Sequence, residues 1–457
     1  MSWIKNERFP WFMVLMGKQP AKPLRPRTVI DMNPLKSLCS LILFLGLGLS
    51  LWPNARAADQ FRTDINPALL YYQAFAIVPE LSQEDRDYLQ VKDWRGRPLD
   101  GRFEELIAKY DNQFKFVRQA AHARVPCDWG VDLTQGPEAL LPGLAKAKGV
   151  ALTARLRVRW HLEHSRQTEA RDDLLAAFVL GRNLSRDGVL ISALVQIAME
   201  NIVASIVAEN YFRFSPETLE QILAGIDAAP PRGTVQQCME AEKTSFHNWF
   251  LKKLAEFQAE TPGNDASVVA KARDLFARTL TEGEHPDRAL ADRVIAAAGG
   301  TGAGLELQVK ELKPLYDELT GLLGLPFEEY GAPSKAFDEK LARHPNPLVG
   351  LLFPAIHKSR AKEFRIDVKL AMVRAAVAYR LRADEGLRAV NDPCGGGGPF
   401  RFSRLVIDGQ DVGFALKSRL NTLGWDEVLA FAEKETPAFY VDGKNAGRPL
   451  PRDPTFE

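Results

Sequence analysis

Residues 189–212 read VLISALVQIAMENIVASIVAENYF, and this stretch decides the fold. Placed on a helix, it is apolar on nearly every side, a pattern found either at the centre of a helical bundle or in a membrane. Gln196, Glu200 and Asn201 interrupt that apolar surface. We therefore expect this segment to form the central helix of a water-soluble bundle.

Glu200 is the most unusual residue of that helix. Taking a carboxylate out of water is so costly that a buried one must be paired or protonated. Arg155, Arg159 and Arg182 lie in the preceding predicted helices and are the candidate partners. Two interpretations follow, a structural ion pair and a catalytic acid, and the sequence favours the ion pair.

Most of the remaining chain also has the apolar spacing of helices. Between Phe103 and Arg124, apolar residues recur at alternating intervals of three and four, which marks one face of a helix. Further helices are predicted over residues 137–164, 169–184, 233–260, 305–323 and 336–343.

Residues 263–304 interrupt this series with a polar, glycine-containing stretch, which we expect to be a mobile connection. Its last part, Gly300-Thr301-Gly302-Ala303-Gly304, imitates a phosphate-binding loop. Such a loop must follow a strand, whereas residues 291–298 have a helical pattern. The glycine run is therefore predicted to be a linker.

The last third of the chain changes character. Beyond Pro354 a long helix is predicted to run to about Arg382, and two alternating segments, residues 400–406 and 412–417, then flank Asp408-Gly409. An Asp-Gly pair between alternating segments predicts a β-hairpin. The expected fold class is mainly α, an irregular helical bundle with a small C-terminal α+β module made of the long helix and the hairpin.

The same patterns divide the chain into four parts. We expect a leader and signal peptide over residues 1–57, a helical domain over 58–345, a module of long helix and hairpin over 346–444, and a loose, proline-containing tail over 445–457.

Composition excludes several classes of protein. Of the 457 residues, 46% are hydrophobic and 26% are charged, values that are typical of a globular chain and exclude global disorder. The formal net charge is +1, without the concentrated basic character of a nucleic-acid partner. The G-x-S-x-G, H-E-x-x-H, Walker and C-x-x-C motifs are all absent from the sequence. Neither a catalytic residue nor a cofactor is predicted.

The segment around Lys36 has the order of an export signal. Lys36 precedes an apolar run over residues 38–52, and Ala55-Arg56-Ala57 then supplies a small-x-small cleavage site. The run is shorter than the ~20 residues of a membrane-spanning helix. We predict cleavage after Ala57 and a periplasmic or extracellular protein, the alternative being an uncleaved membrane anchor formed by residues 38–52. Met32 is the expected true start, because it gives the signal peptide an ordinary length.

Export would place Cys127, Cys238 and Cys394 in an oxidising compartment. One disulfide with a free thiol and three separate buried thiols are both open, because connectivity is not readable from sequence. Next to Cys127, Trp129 is predicted to anchor a turn.

His161 and His164 form the one local pattern that suggests a metal. Histidines three residues apart project from adjacent helical turns and can reach one ion. Carboxylates would come from elsewhere in the bundle, and the candidate ligands are His161, His164, Glu169 and Glu200, with Asp172 and Asp173 nearby. The favoured alternative is a solvated helix end, where histidine complements the C-terminal dipole.

Two parts of the chain resemble known groups of proteins. Residues 66–75 and 127–130, with the helices over 137–208, resemble exported bacterial helical proteins of unknown function. The long helix, Asp392-Pro393, the glycine-rich turn and Pro399-Phe400-Arg401-Phe402 are similar to the globular end of type II secretion pseudopilins. The acidic calcium loop and the methylated leader of that family are absent, so this resemblance implies shape alone.

The function expected from these patterns is that of an exported helical protein that binds or scaffolds a partner in the cell envelope. Nucleic acid is not expected as a partner, and a membrane only if the leader stays uncleaved. Two alternatives remain, a metal-dependent envelope hydrolase at His161 and His164 and an accessory pseudopilin-like part of a secretion system.

Overall fold

We describe the fold from a computed structural model of the chain. It describes residues 65–89, 99–141, 143–280, 287–407, 409–422 and 425–435. The leader over residues 1–57, with Met32 and the apolar run 38–52, lies outside these ranges, and so does the tail over 445–457.

The described chain is mainly helical and carries a small antiparallel sheet near its C-terminal end. The α-helices are α1 Pro67–Ala76, α2 Gln83–Leu89, α3 Gly101–Ala108, α4 Asp111–Ala121, α5 Leu144–Glu163, α6 Gln167–Leu184, α7 Leu190–Glu209, α8 Pro216–Ala228, α9 Val235–Lys243, α10 Trp249–Glu260, α11 Asp265–Thr279, α12 Arg288–Ala297, α13 Gly302–Lys310, α14 Leu312–Leu323, α15 Phe327–Ala342 and α16 Pro347–Arg388. Short 3₁₀ turns cover Leu133–Glu138 and Ser185–Asp187, and a π-helical turn covers Thr244–Asn248. The strands are β1 Arg401–Ile407, β2 Gln410–Thr422 and β3 Trp425–Ala432.

Helix α7, the segment quoted first, is the central helix of the bundle. It packs against α5, α6, α9, α16 and strand β3. By length and composition it is long and apolar enough to cross a membrane, and 61% of that stretch is buried inside the protein. Gln196 and Glu200, which interrupt its apolar surface, are fully buried as well.

The apolar core consists of adjoining clusters. The first joins helices α5–α8 to α16 and the sheet, with Phe178, Tyr211 and Phe414 fully buried. The second gathers α9–α15 and the first turns of α16 around Phe250 and Phe276. Residues before and after the expected boundary at residues 345 and 346 therefore share the same core.

Near the C-terminus, the expected hairpin is present, and a third strand extends it. Strands β1 and β2 pair antiparallel across Gly409, and β3 pairs with β2 to give the order β1-β2-β3. Strand β3 lacks alternating polarity because its residues from Leu429 to Ala432 are all buried. Helix α16 continues past the predicted end, but its backbone breaks at Arg382 and at Ala383, whose φ is 50°.

The expectation of a mobile connection over residues 263–304 is wrong. Helices α11, α12 and α13 occupy much of it, and the side chains of Asn264, Asp287 and Thr301 cap their first turns. The polar residues that suggested a loop are thus capping residues. The glycine run that ends at Gly304 is also held by a hydrogen bond, because the Gly302 amide donates to Asp265 Oδ1 at 2.9 Å.

The predicted helix over 137–164 begins later than expected. A 3₁₀ turn occupies Leu133–Glu138, and α5 starts only at Leu144. Gly136 breaks the helical path within that 3₁₀ turn, because its φ of 60° is left-handed, a conformation that glycine adopts readily. A Cβ at this position would lie 2.4 Å from the Trp249 ring. This close approach holds the turn against the helix that starts at Trp249.

Candidate binding cavity

A cavity of about 100 Å³ lies where five separate segments meet. Its lining comes from the turn around Gly136, the start of α7, the end of α9 with the π-helical turn, Tyr316 of α14, and the first part of α16. Each segment belongs to a packed helix or turn, so the cavity is built into the core.

The π-helical turn shapes one side of the cavity. Helix α9, residues Thr244–Asn248 and α10 form one continuous helix, as predicted over 233–260, but the middle segment is wound more widely. Ser245 and Phe246 of that segment both line the cavity. Single π turns within α-helices are frequent at functional sites. The π-helical turn in its lining therefore makes this cavity a candidate functional site.

Most of the side chains that line the cavity are apolar. Buried side chains form its walls, namely Leu190, Phe246, Leu352 and Ile356. The half-buried part of the lining, which we call the mouth, consists mainly of Leu133, Ala139, Leu141, Ile191 and Leu351, with Ser245 as a polar member. An apolar molecule in the cavity would therefore contact mainly apolar side chains.

Glu242 is the one carboxylate in the lining. Part of its surface faces the cavity, and its Oε1 accepts the Leu190 amide at the start of α7 at 3.2 Å. Because protein surrounds the carboxyl group, burial raises its pKa to about 7 despite that hydrogen bond. Near neutral pH the group is thus divided between an acceptor-only carboxylate and a carboxylic acid that also donates.

Tyr316 is a further polar residue of the lining, beside Glu242 and Ser245. Its side chain is 1% exposed, and its ring lies 4.7 Å from the Phe353 ring. Its hydroxyl is buried and has no hydrogen-bond partner among the residues that the structure describes. Burial and the nearby Glu242 charge raise the tyrosine pKa well above its usual value, so the phenol stays protonated.

Taken together, these groups suit binding. An apolar cavity with a few convergent polar groups is the usual form of a small-molecule site. Within the lining, Glu242 is the only group that titrates near neutral pH, and no histidine or lysine joins it. The lining therefore offers a large apolar surface with few polar residues, among them Glu242 and Ser245.

The candidate metal ligands are held in different environments. His161 is buried, and its Nε2 lies 3.2 Å from Asp173 Oδ2, which also accepts from Arg157 Nε at 2.7 Å. Burial alone would raise the pKa of Asp173. The hydrogen bond from His161 and the charges of Arg157 and Arg118 outweigh burial and lower that pKa.

His164 and Glu169 are exposed, and Glu200 belongs to a separate ion-pair network. Arg182 Nε lies 2.6 Å from Glu200 Oε1, and Arg232 Nη2 lies 2.7 Å from Oε2. The structure thus does not bring His161, His164, Glu169 and Glu200 to one point. In the described ranges, no group of three His, Cys, Asp or Glu side chains could hold a metal ion.

The arginine partners of Glu200 were predicted in part. Arg182 is one of them, whereas Arg155 pairs with Glu209 and Arg159 with Glu163. Arg232 was missed because it lies in the loop after the Pro230-Pro231 pair, outside the predicted helices that supplied the candidate partners.

The structure also places the three cysteines and the tryptophan that the sequence analysis singled out. Cys127, Cys238 and Cys394 are three separate buried thiols, and burial raises the pKa of Cys127 to about 12. Trp129 is buried, stacks on Tyr71 and donates from Nε1 to the Asn183 carbonyl at 2.7 Å. It holds its turn against the bundle, as the sequence predicts.

The cavity itself was not predicted, although the position of Glu242 in the sequence indicates a buried carboxylate. Glu242 lies on the same face of its helix as Val235, Met239 and Phe246, all of which are buried. A lone glutamate on a buried stripe marks a desolvated carboxylate, by the same argument that singled out Glu200. Tyr316 gives no such signal, because a tyrosine among leucines is typical of an ordinary core.

Comparisons of the chain with protein-family models, with curated proteins and with solved structures found no match. The resemblances to exported helical proteins and to pseudopilins therefore stay predictions.

Proposed function

We propose that this protein is an exported binding protein that holds a small, largely apolar molecule in the cavity beside the π-helical turn. The observation that carries the proposal is the lining, in which mainly apolar side chains surround an unfilled space beside the desolvated carboxyl group of Glu242. Binding of this kind needs no reacting groups, which agrees with the absence of catalytic motifs from the sequence.

The size of the cavity limits the ligand. A dry cavity of about 150 Å³ lined by Leu, Ile and Phe binds benzene, and this one is smaller, about 100 Å³. A chain of about five heavy atoms fits this volume, and a longer tail would leave through the apolar mouth. Burying about five methylene-sized groups at ~0.8 kcal/mol each gives at most about 4 kcal/mol, so a plain alkane would bind with a dissociation constant no tighter than about 1 mM.

Saturation-transfer NMR of the purified protein in buffer saturated with n-pentane tests the proposal, because this measurement detects binding that is too weak for calorimetry. Leu141→Trp fills the mouth and should weaken binding about tenfold or more, a difference of 1.4 kcal/mol or more. Leu140→Trp is the matched control, because Leu140 is exposed and does not line the cavity. Absence of n-pentane binding, or equal loss in both variants, would refute the proposal.

Export is the second part of the proposal, and it rests on the order of Lys36, the apolar run 38–52 and Ala55-Arg56-Ala57. Mass analysis of the protein recovered from a bacterial periplasm should give a chain that begins at Ala58. A full-length chain that stays in the cytosol would contradict it. A full-length chain held in the membrane would instead support the uncleaved anchor.

A further inference from the structure

Glu242 is a desolvated carboxylate that has no cation beside it in the described chain. Its neighbour in sequence, Lys243, pairs with Glu240 at 2.7 Å instead. The fully buried glutamates of the described chain are each paired with an arginine, namely Glu200, Glu363 and Glu427. Two further carboxylates, those of Asp187 and Asp392, lack a cation but accept hydrogen bonds on both oxygens. Among these carboxylates, Glu242 alone has neither a cation nor a hydrogen bond on its second oxygen.

Glu242 and Ser245 together form a polar side of the cavity. The Oε1 atom of Glu242 accepts the Leu190 amide and so caps α7, whereas Oε2 accepts no hydrogen bond from the described residues and retains accessible surface. Ser245 follows three residues later in the same continuous helix, is half-buried, and also lines the cavity. Residues three apart lie on one face of a helix. This side of the cavity therefore presents a carboxylate oxygen and a hydroxyl, two groups that accept hydrogen bonds.

We propose that the cavity binds a small alkylammonium ion whose nitrogen lies between Glu242 and Ser245, an inference that rests on the proposed binding function. The ammonium group donates to Glu242 Oε2 and to the Ser245 hydroxyl oxygen, and its charge neutralises the carboxylate. Because Ser245 belongs to the mouth, the third N–H stays in contact with water. The alkyl chain then lies against the buried walls formed by Leu190, Phe246 and Leu352.

Other ligands satisfy this polar side less well. A carboxylate would lie beside Glu242, and two carboxylates at close range disfavour each other's ionisation. An alcohol could donate to Glu242 and accept from Ser245, but it would leave the charge of the carboxylate without a counter-ion. A calcium ion takes six to eight oxygen ligands, far more than one carboxylate and one hydroxyl supply. A methyl head, as in an alkane, leaves both groups as they are.

Saturation-transfer NMR titrations with n-butylammonium chloride, 1-butanol and n-pentane at pH 8 test this assignment. The three ligands have the same number of heavy atoms and differ only in the group at one end of the chain. At pH 8 the Glu242 carboxyl group is largely ionised even without a ligand, because its pKa is about 7. The ammonium ion should bind about tenfold or more tightly than 1-butanol, as expected for a charge-assisted hydrogen bond.

Two variants locate the contact. Glu242→Gln keeps the shape of the side chain and an oxygen for the Leu190 amide, but it removes the charge. It should weaken n-butylammonium about tenfold or more and change n-pentane by less than about twofold, and the retained n-pentane binding shows that the cavity is intact. Glu240→Gln is the matched control, because Glu240 lies outside the lining and its side chain is 74% exposed. It should change n-butylammonium by less than about twofold.

The outcomes separate the two proposals. If n-pentane binds but n-butylammonium binds no more tightly than 1-butanol, the ammonium assignment is wrong and the apolar cavity stands. Equal losses in Glu242→Gln and Glu240→Gln also overturn the assignment, because they would indicate general attraction between charges and not a contact in the cavity. If none of the three ligands binds, the proposed binding function itself fails.

Discussion

Replacing Glu200 by glutamine should destabilise the protein far more than its single-atom change suggests. Glu200 is fully buried, and its two oxygens lie 2.6 Å from Arg182 Nε and 2.7 Å from Arg232 Nη2. Glutamine keeps the shape but removes the charge between two guanidinium groups that are themselves largely buried. Arg232 keeps Asp367 as a partner, whereas Arg182 keeps no carboxylate in the described network.

The expected magnitude follows from that geometry. Removing one member of a buried pair costs about 3–5 kcal/mol, because the other charge stays buried without its counter-ion. Whole proteins are stable by about 5–15 kcal/mol, so this single change removes a large share of the free energy of unfolding.

Urea unfolding followed by circular dichroism measures this loss, and Glu209→Gln on the same helix is the matched control. The partner of Glu209, Arg155, is 40% exposed, so water compensates much of the lost pairing and the expected cost is about 1 kcal/mol or less. Equal losses in Glu200→Gln and Glu209→Gln would refute the reasoning. Combining Glu200→Leu with Arg182→Met should restore part of the loss, because both paired charges are then replaced by apolar groups.

Two further predictions concern the cavity. Because burial raises the pKa of Glu242 from 4.5 to about 7, the folded state holds the proton more tightly, so the contribution of Glu242 to stability is fully present below about pH 4.5 and is lost as pH rises through 7. Glu242→Gln should remove that fall, roughly 3 kcal/mol at about 1.4 kcal/mol per pKa unit, and parallel urea titrations at pH 4.5 and 8 check the difference. Gly136→Ala should lower the melting temperature more than Gly188→Ala, since both glycines have a left-handed φ but only at Gly136 would a Cβ meet the Trp249 ring. Equal shifts in melting temperature would contradict that reading of the turn.

Local patterns were sufficient for much of the fold. The apolar run over 189–212 predicted the central helix, and the Asp-Gly pair between alternating segments predicted the β1-β2 hairpin. Both patterns are formed by residues that are close in sequence, so they can be recognised without knowledge of the tertiary structure. The mainly α fold class with a small C-terminal module followed from them.

The errors have two physical origins, residue types that suit more than one local structure and contacts with partners that are distant in sequence. Asn264, Asp287 and Thr301 favour loops and helix caps alike, so the segment containing them was predicted as a connection. Strand β3 was missed because it is covered on both faces and pairs only with β2. Arg232 reaches Glu200 from a loop after α8, a contact that no sequence interval indicates.

The cavity could not be predicted from the sequence either, because each segment that lines it has the pattern of an ordinary core segment. The leucines near residues 190 and 352 are typical core residues, and a π turn at Thr244–Asn248 has no known sequence signature to announce it. What distinguishes the site is an unfilled space with a mainly apolar lining beside a desolvated glutamate. A molecule that filled this space would stabilise the folded protein by an amount that grows with its concentration. No single segment of the sequence indicates such a space, because it exists only where all five segments meet.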